Sequence, residues 1–169
     1  MNSNNTFNII LADDHILLRD ALANLINSFD EFRVVAVAGN GEEVKQAIGA
    51  GPRPAIILMD LSMPVLDGFE TARWLQMHHP DIRVLILTMY DSEITLIRLL
   101  RLGVNGFLKK DIHPAELRSA LIAVAAGEYY YSNRTTGKIA SLLRNSDEKR
   151  SPLENATLND VEIQFLRLA

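Results

Sequence analysis

The sequence predicts an α/β protein: a doubly wound, parallel five-stranded sheet built as (βα)5, with a helical linker and tail after it. Three observations point there. Short apolar runs recur along the first 127 residues, at 7–12, 34–38, 55–59, 83–87 and 104–108, and runs of about five apolar residues read as strands buried on both faces. The stretches between them carry apolar residues at helical spacing, and strands alternating with helices make parallel units covered on both sides. Four of the runs end beside residues that carry chemistry: Asp13-Asp14, Asp60, Thr88 and Lys109-Lys110.

Each element has its own signal. The first run leads into an amphipathic stretch in which Ile16, Leu18, Leu22, Leu25 and Ile26 recur at roughly helical spacing. After the second run, Gly39-Asn40-Gly41 turns the chain into a short helix over 42–49, with Val44, Ala47 and Ile48 facing inward. Gly51-Pro52-Arg53-Pro54 breaks that helix, and the third run, 55–59, is the most apolar. Asp67-Gly68 opens a helix that runs through His78 and carries Phe69, Ala72 and Leu75. The fourth strand is followed by a helix near 92–102 that stops at Gly103, a suitable C-terminal cap. After the fifth strand, Pro114 sits in the first turn of the last helix, which reaches about Ala126 before Gly127.

Residues 7–127 make up the predicted domain. The next stretch, 128–157, is less regular, polar and charged in its second half and interrupted by Pro152, and reads as a linker with room for a helical turn or two. Residues 158–169 begin a new helix. Asn159 is a good N-cap, Glu162 completes a capping box, and Leu158 with Ile163 makes a hydrophobic staple. A helix that starts well and then lacks packing partners is expected to be the first helix of a truncated second domain.

With 169 residues, 48% of them hydrophobic, the chain can bury a sizeable core. The formal net charge of −4 argues against a nucleic-acid surface on this stretch. Residues 1–127 carry 11 Lys/Arg and 15 Asp/Glu, whereas 128–169 carry 6 of each. There is no cysteine, which excludes thiol catalysis, cysteine-based zinc sites and disulfides. The polar N-terminus has no basic region or long apolar core, so the expectation is a soluble cytoplasmic protein without membrane contact.

In an open parallel sheet, ligands bind beyond the carboxyl ends of the strands. Three carboxylates, a hydroxyl and an ammonium are therefore expected at one edge. Asp13, Asp14 and Asp60 repel one another there, and a hard divalent cation relieves that cost. With no histidine or cysteine offered as a ligand, Mg2+ is expected and Mn2+ is possible. His15 is next door but is expected at the surface. Asp60 is the candidate nucleophile, since carboxylates form aspartyl-phosphates; Lys110 is a point charge for a phosphoryl oxygen and Thr88 a hydroxyl donor. Singly, each is an ordinary turn cap, helix cap or solvated lysine pair. Together at alternating strand ends they point to phosphoryl chemistry.

The stretches Ile-Leu-Ala-Asp-Asp-His (10–15), Met-Asp-Leu-Ser-Met-Pro-Val-Leu-Asp-Gly (59–68), Leu-Thr-Met-Tyr-Asp (87–91) and Gly-Phe-Leu-Lys-Lys-Asp (106–111) resemble the response-regulator receiver domain, in the wording of its NarL/LuxR-type branch. The resemblance covers about residues 7–127 and implies a flavodoxin-like fold. It implies that Asp60 accepts a phosphoryl group from a histidine kinase. It implies that Asp14, Asp60 and the backbone carbonyl of Ser62 ligate Mg2+, with Asp13 acting through water. It also implies that Thr88 and Phe107 are a switch pair and that Lys110 is the family's lysine. Residues 158–169 resemble the opening of a LuxR-type helix-turn-helix domain.

Phosphorylation is then expected to shift Thr88, let Phe107 rotate inward and promote a homodimer. Arg98, Arg101, Lys109, Asp91, Asp111 and Glu116 are candidates for ion pairs across it. The complete protein would bind DNA and regulate transcription; this stretch alone would not bind DNA specifically. Such a protein accepts a phosphoryl group and can dephosphorylate itself but is not a dedicated enzyme. The alternative is a receiver that works only through protein contacts. Two residues depart from the common family pattern: Asp111 stands where proline often follows the lysine, and Met89 where a small residue often follows the switch hydroxyl. Met89 is expected to narrow access to the phosphoryl group. A haloacid-dehalogenase phosphatase would need a second aspartate two residues after Asp60, where Ser62 stands. A dinucleotide fingerprint lacks its third glycine and a P-loop is absent.

Overall fold

The computed structural model describes residues 5–89 and 92–131. Five strands, β1 (Phe7–Ala12), β2 (Phe32–Ala38), β3 (Ile56–Met59), β4 (Arg83–Thr88) and β5 (Gly106–Lys109), alternate with α1 (Ile16–Asn27), α2 (Gly41–Ala50), α3 (Gly68–His78), α4 (Glu93–Arg101) and α5 (Pro114–Ala125). Their pairings are all parallel, in the order β2-β1-β3-β4-β5. The continuous apolar runs are explained by burial on both faces. All four residues of β3 are buried. Ile57 and Met59 pack in one cluster with Val44 of α2, Leu75 of α3 and Leu99 of α4. Ile56 and Leu58 pack in the other with Ile26 of α1 and Leu121 of α5.

The helix starts follow from local chemistry. The Asn40 side chain accepts from the Glu43 N–H at 3.0 Å, Asp67 from Glu70 at 2.9 Å and Ser92 from Thr95 at 3.3 Å. Each satisfies a backbone donor that the first helical turn leaves without a partner. At α5 the Nδ1 of His113 accepts from Ala115 at 3.1 Å ahead of Pro114 at the first position. No helix among the described residues is long and apolar enough to cross a membrane.

The sheet has six strands rather than the expected five. After α5 the chain returns to the open edge of β5 and adds β6 (Tyr130–Tyr131), with Gly106 opposite Tyr130 and Phe107 opposite Tyr131. The first residues of the expected linker therefore belong to the sheet. Gly106 permits this approach, because a Cβ there would collide with the Tyr130 carbonyl oxygen and lie 2.9 Å from Leu85 Cδ1. Gly106→Ala is expected to unseat β6 at a cost of about 1–3 kcal/mol. Faster amide exchange confined to Phe107 and the two tyrosines would report it.

The start of α1 is exposed: Ile16 is 62% exposed, and Leu17 beside it is 88% exposed. Within this helix only Ile26 is fully buried.

The β3–α3 loop contains Val65 at φ 66°. Its neighbours close a γ-turn, the Leu66 N–H donating to the Pro64 carbonyl at 2.7 Å. A β-branched residue is strained at this φ, and Val65 is 81% exposed, so packing does not hold it there. Val65→Gly is expected to raise stability by about 1 kcal/mol, because glycine has no Cβ to strain at positive φ; the urea midpoint measures it.

The rest of the predicted linker, 132–157, the predicted helix at 158–169 and Asp91 lie outside the described residues.

Candidate functional site

The strand order changes direction between β1 and β3, and the crevice at such a point is where open α/β sheets bind ligands. Register brings the carboxylates together there. Ala12 lies opposite Met59, so Asp13 and Asp60 leave the sheet side by side. The Asp60 N–H donates to the Ala12 carbonyl at 2.9 Å, and the Asp13 N–H to Ala38 at 2.9 Å. On the other side Thr88 faces Lys109, and the Lys110 N–H donates to the Thr88 carbonyl at 3.0 Å. Behind Asp60, α3 starts against the strand end. A Cβ on Gly68 would stand 2.5 Å from the Asp60 carbonyl oxygen and 2.7 Å from Leu61 Cα. Any side chain at Gly68 would thus push Asp60 out of line.

Asp13, Asp60 and Thr88 are only 2%, 4% and 3% exposed. The Lys110 Nζ lies 3.0 Å from Asp13 Oδ2 and 3.0 Å from Asp60 Oδ2. Burial raises the Asp13 pKa, but the His15 backbone N–H, Lys110 and the His15 ring outweigh it and hold the carboxyl below its usual range. Asp60 goes the other way. Burial pushes its pKa up, Asp13 adds to the rise, and Lys110 with the Ser62 backbone only partly offsets it. Lys110 is lowered by burial, yet its bonds to Asp13 and Asp60 keep it above the ordinary lysine value.

Ligand atoms of Asp13, Asp14, His15 and Asp60 all lie within 4.8 Å of one another. Three carboxylates against one ammonium leave an excess of negative charge equal to that of a divalent cation. Asp13 Oδ2 is buried and faces the Lys110 ammonium at 3.0 Å. A mainly carboxylate donor set fits a hard divalent ion.

Of the expected site residues, Asp13, Asp14, Asp60 and Lys110 converge, and Thr88 flanks them at the end of β4. Ser62 is exposed and reaches Asp60 through its backbone N–H. Met89 is 62% exposed at the rim. Phe107 is 2% exposed, and its ring centroid is 4.6 Å from that of Tyr131 at 57°. The ring is therefore already buried, and Tyr131 is a neighbour that the sequence did not reveal. The candidates for cross-subunit pairs are partly engaged within the chain. Arg98 stacks 3.8 Å from the Phe69 ring centroid, and Glu116 accepts from the Tyr130 hydroxyl at 3.3 Å.

A family model described as the response regulator receiver domain matches residues 9–122. The chain is 34% identical over 149 residues to the DNA-binding transcriptional activator DevR/DosR of Mycobacterium tuberculosis, covering 88% of this chain and 68% of that protein. It is 35% identical over 136 residues to the nitrate/nitrite response regulator protein NarL of Escherichia coli K12, covering 80% and 62%. The chain thus spans about two thirds of the length of these curated relatives. Among solved structures, a LuxR-family two-component response regulator from Aurantimonas sp. SI85-9A1 superposes with a TM-score of 0.75 at 31% identity, covering 80% of this chain and 96% of that one.

Proposed function

The chain belongs to the response regulator receiver family of two-component systems, and from that premise we propose that Asp60 is its phosphoryl acceptor and the input of a transcriptional output. The observation that carries this reading is Lys110 Nζ held 3.0 Å from both Asp13 and Asp60 at the point where the sheet reverses. An Asp60 oxygen forms a bond to phosphorus as the bond from phosphorus to the donor histidine of a kinase breaks, with the electron pair leaving on that histidine. Lys110 balances charge on the phosphoryl oxygens and Thr88 donates a hydrogen bond to one of them. Asp14, Asp60 and the Ser62 carbonyl, with Asp13 through water, are the residues that would hold Mg2+ or Mn2+. A bound ion supplies charge neutralisation as the group transfers.

The phosphoryl group adds about −1.5 to −2 charge. Thr88 and Phe107 stand on neighbouring strands, so a shift of Thr88 toward that charge alters the packing around the Phe107 ring. Phosphorylation then changes the populations of two existing states. Residues 7–127 with β6 form the receiver, 132–157 link it onward, and 158–169 open a helix-turn-helix domain in the whole protein. Partners are a histidine kinase, a second copy of the chain and, for the complete protein, DNA. Its cytoplasmic location and capacity for self-dephosphorylation belong to the same proposal.

Intact mass after incubation with acetyl phosphate tests the acceptor role. One phosphoryl adduct that forms with Mg2+ and fails to form with excess chelator is expected. No adduct on folded protein would sink the reading. Met89, exposed beside the buried Thr88, shields the phosphoryl group from attacking water in this scheme. Met89→Ala is expected to shorten the adduct's lifetime severalfold; an unchanged decay rate would remove Met89 from the account.

A further inference from the structure

The carboxylate pocket contains one donor of a different kind. His15 precedes α1 and makes no side-chain cap to it. Its backbone N–H donates to Asp13 Oδ1 at 2.9 Å, and its ring turns back toward the carboxylates. Nδ1 lies 3.0 Å from Asp13 Oδ1 and 3.4 Å from Asp14 Oδ1, while the side chain as a whole is 66% exposed. Nδ1 is thus the ring nitrogen that faces the carboxylates. The geometry suits a metal ion. Two adjacent ligands of an octahedral ion, each about 2.1 Å from it, are about 3.0 Å apart. The 3.4 Å from His15 Nδ1 to Asp14 Oδ1 is close to that edge, so an ion held by Asp14 can reach the ring nitrogen with little movement.

We propose that His15 Nδ1 is a direct ligand in this pocket, and that the pocket therefore favours nitrogen-preferring divalent ions such as Ni2+ or Zn2+ over Mg2+ more strongly than carboxylates alone would. The inference rests on the proposed metal pocket and adds to it a ligand and a selectivity. Imidazole suits late first-row ions, whereas carboxylate and water suit Mg2+. On binding, the lone pair on Nδ1 goes to the ion and the ring proton resides on Nε2. The consequence is competition, with a late first-row ion displacing Mg2+ from the phosphoryl-transfer edge.

Calorimetric titration of Mg2+ and Ni2+ tests this in a His78→Gln/His79→Gln background, which removes the adjacent surface histidines. The quantity of interest is the ratio of the Mg2+ to the Ni2+ dissociation constant. Adding His15→Asn is expected to lower that ratio at least about tenfold. With Zn2+, imidazole nitrogen resonances of the His15-containing protein should show Nδ1 coordinated and Nε2 protonated. An unchanged ratio with Mg2+ still bound would overturn the His15 assignment alone. Failure of both ions to bind would overturn the pocket and the assignment together.

Discussion

Asp60→Asn is expected to abolish the phosphoryl adduct and to leave the fold standing. Asparagine has nearly the shape of aspartate, but its amide oxygen does not form a stable bond to phosphorus. An adduct that survives the change would place the acceptor elsewhere, with Asp13 the nearest candidate. The stability effect has a sign that can be derived. Asp60 is 4% exposed, and burial holds its pKa above the ordinary 3.8 despite Lys110. For an acid with a raised folded pKa, stability is fully present below the unfolded value and is lost as pH rises through the folded one. The ionised Asp60 therefore costs stability at neutral pH. The neutral amide removes that cost and the repulsion from Asp13, while Lys110 keeps its 3.0 Å contact with Asp13. In metal-free buffer, Asp60→Asn should match the wild type near pH 3.8 and become the more stable of the two toward pH 7. Urea midpoints across that range measure the difference. Equal midpoints throughout would mean that the buried carboxylate is not under the strain its surroundings imply.

The edge was legible because its chemistry follows directly on the strands. Each apolar run fixes where a strand stops, and in a parallel sheet all such ends lie on one side. Asp13, Asp60, Thr88 and Lys110 could thus be placed together before any distance was known. Their pairing was not legible. The side-by-side exit of Asp13 and Asp60 depends on Ala12 lying opposite Met59, a register set by packing across both faces. β6 was missed because two residues give no periodicity, and Tyr130 and Tyr131 gain their place from Gly106 and Phe107, far back in the chain. Val65 was missed because its own preference is for extended backbone, and the loop imposes positive φ on it. His15 was set aside as a surface residue; it is exposed, yet its Nδ1 turns into the carboxylates, a choice of side-chain direction that the sequence does not encode.

Lys110→Met is expected to destabilise the metal-free protein strongly. Methionine keeps much of the apolar stem and removes only the cation, so the effect reports charge rather than volume. Lys110 is 7% exposed, facing Asp13 at 2% and Asp60 at 4%. Removing one partner from a buried ionic cluster costs about 3–5 kcal/mol, a large part of the 5–15 kcal/mol that holds a typical domain folded. Here the loss leaves two carboxylates facing each other with no cation between them. The pH dependence follows from the signs. The pKa of Lys110 is raised above 10.5, so its contribution is fully present below that pH and is lost as pH rises through the folded value. Asp13 is lowered below 3.8, so its contribution is present above that pH and is lost as pH falls through its folded value. The gap between wild type and Lys110→Met should therefore be widest near neutrality and close toward both extremes. Millimolar Mg2+ should recover part of the loss, because an ion that binds only the folded state stabilises it by mass action and supplies the positive charge that the variant lacks. Phosphorylation should stay impaired even then, since the metal neutralises the carboxylates but does not replace the ammonium at the phosphoryl oxygen. A variant as stable as the wild type in chelator, with no response to Mg2+, would show that the charge at this edge is balanced by something other than Lys110.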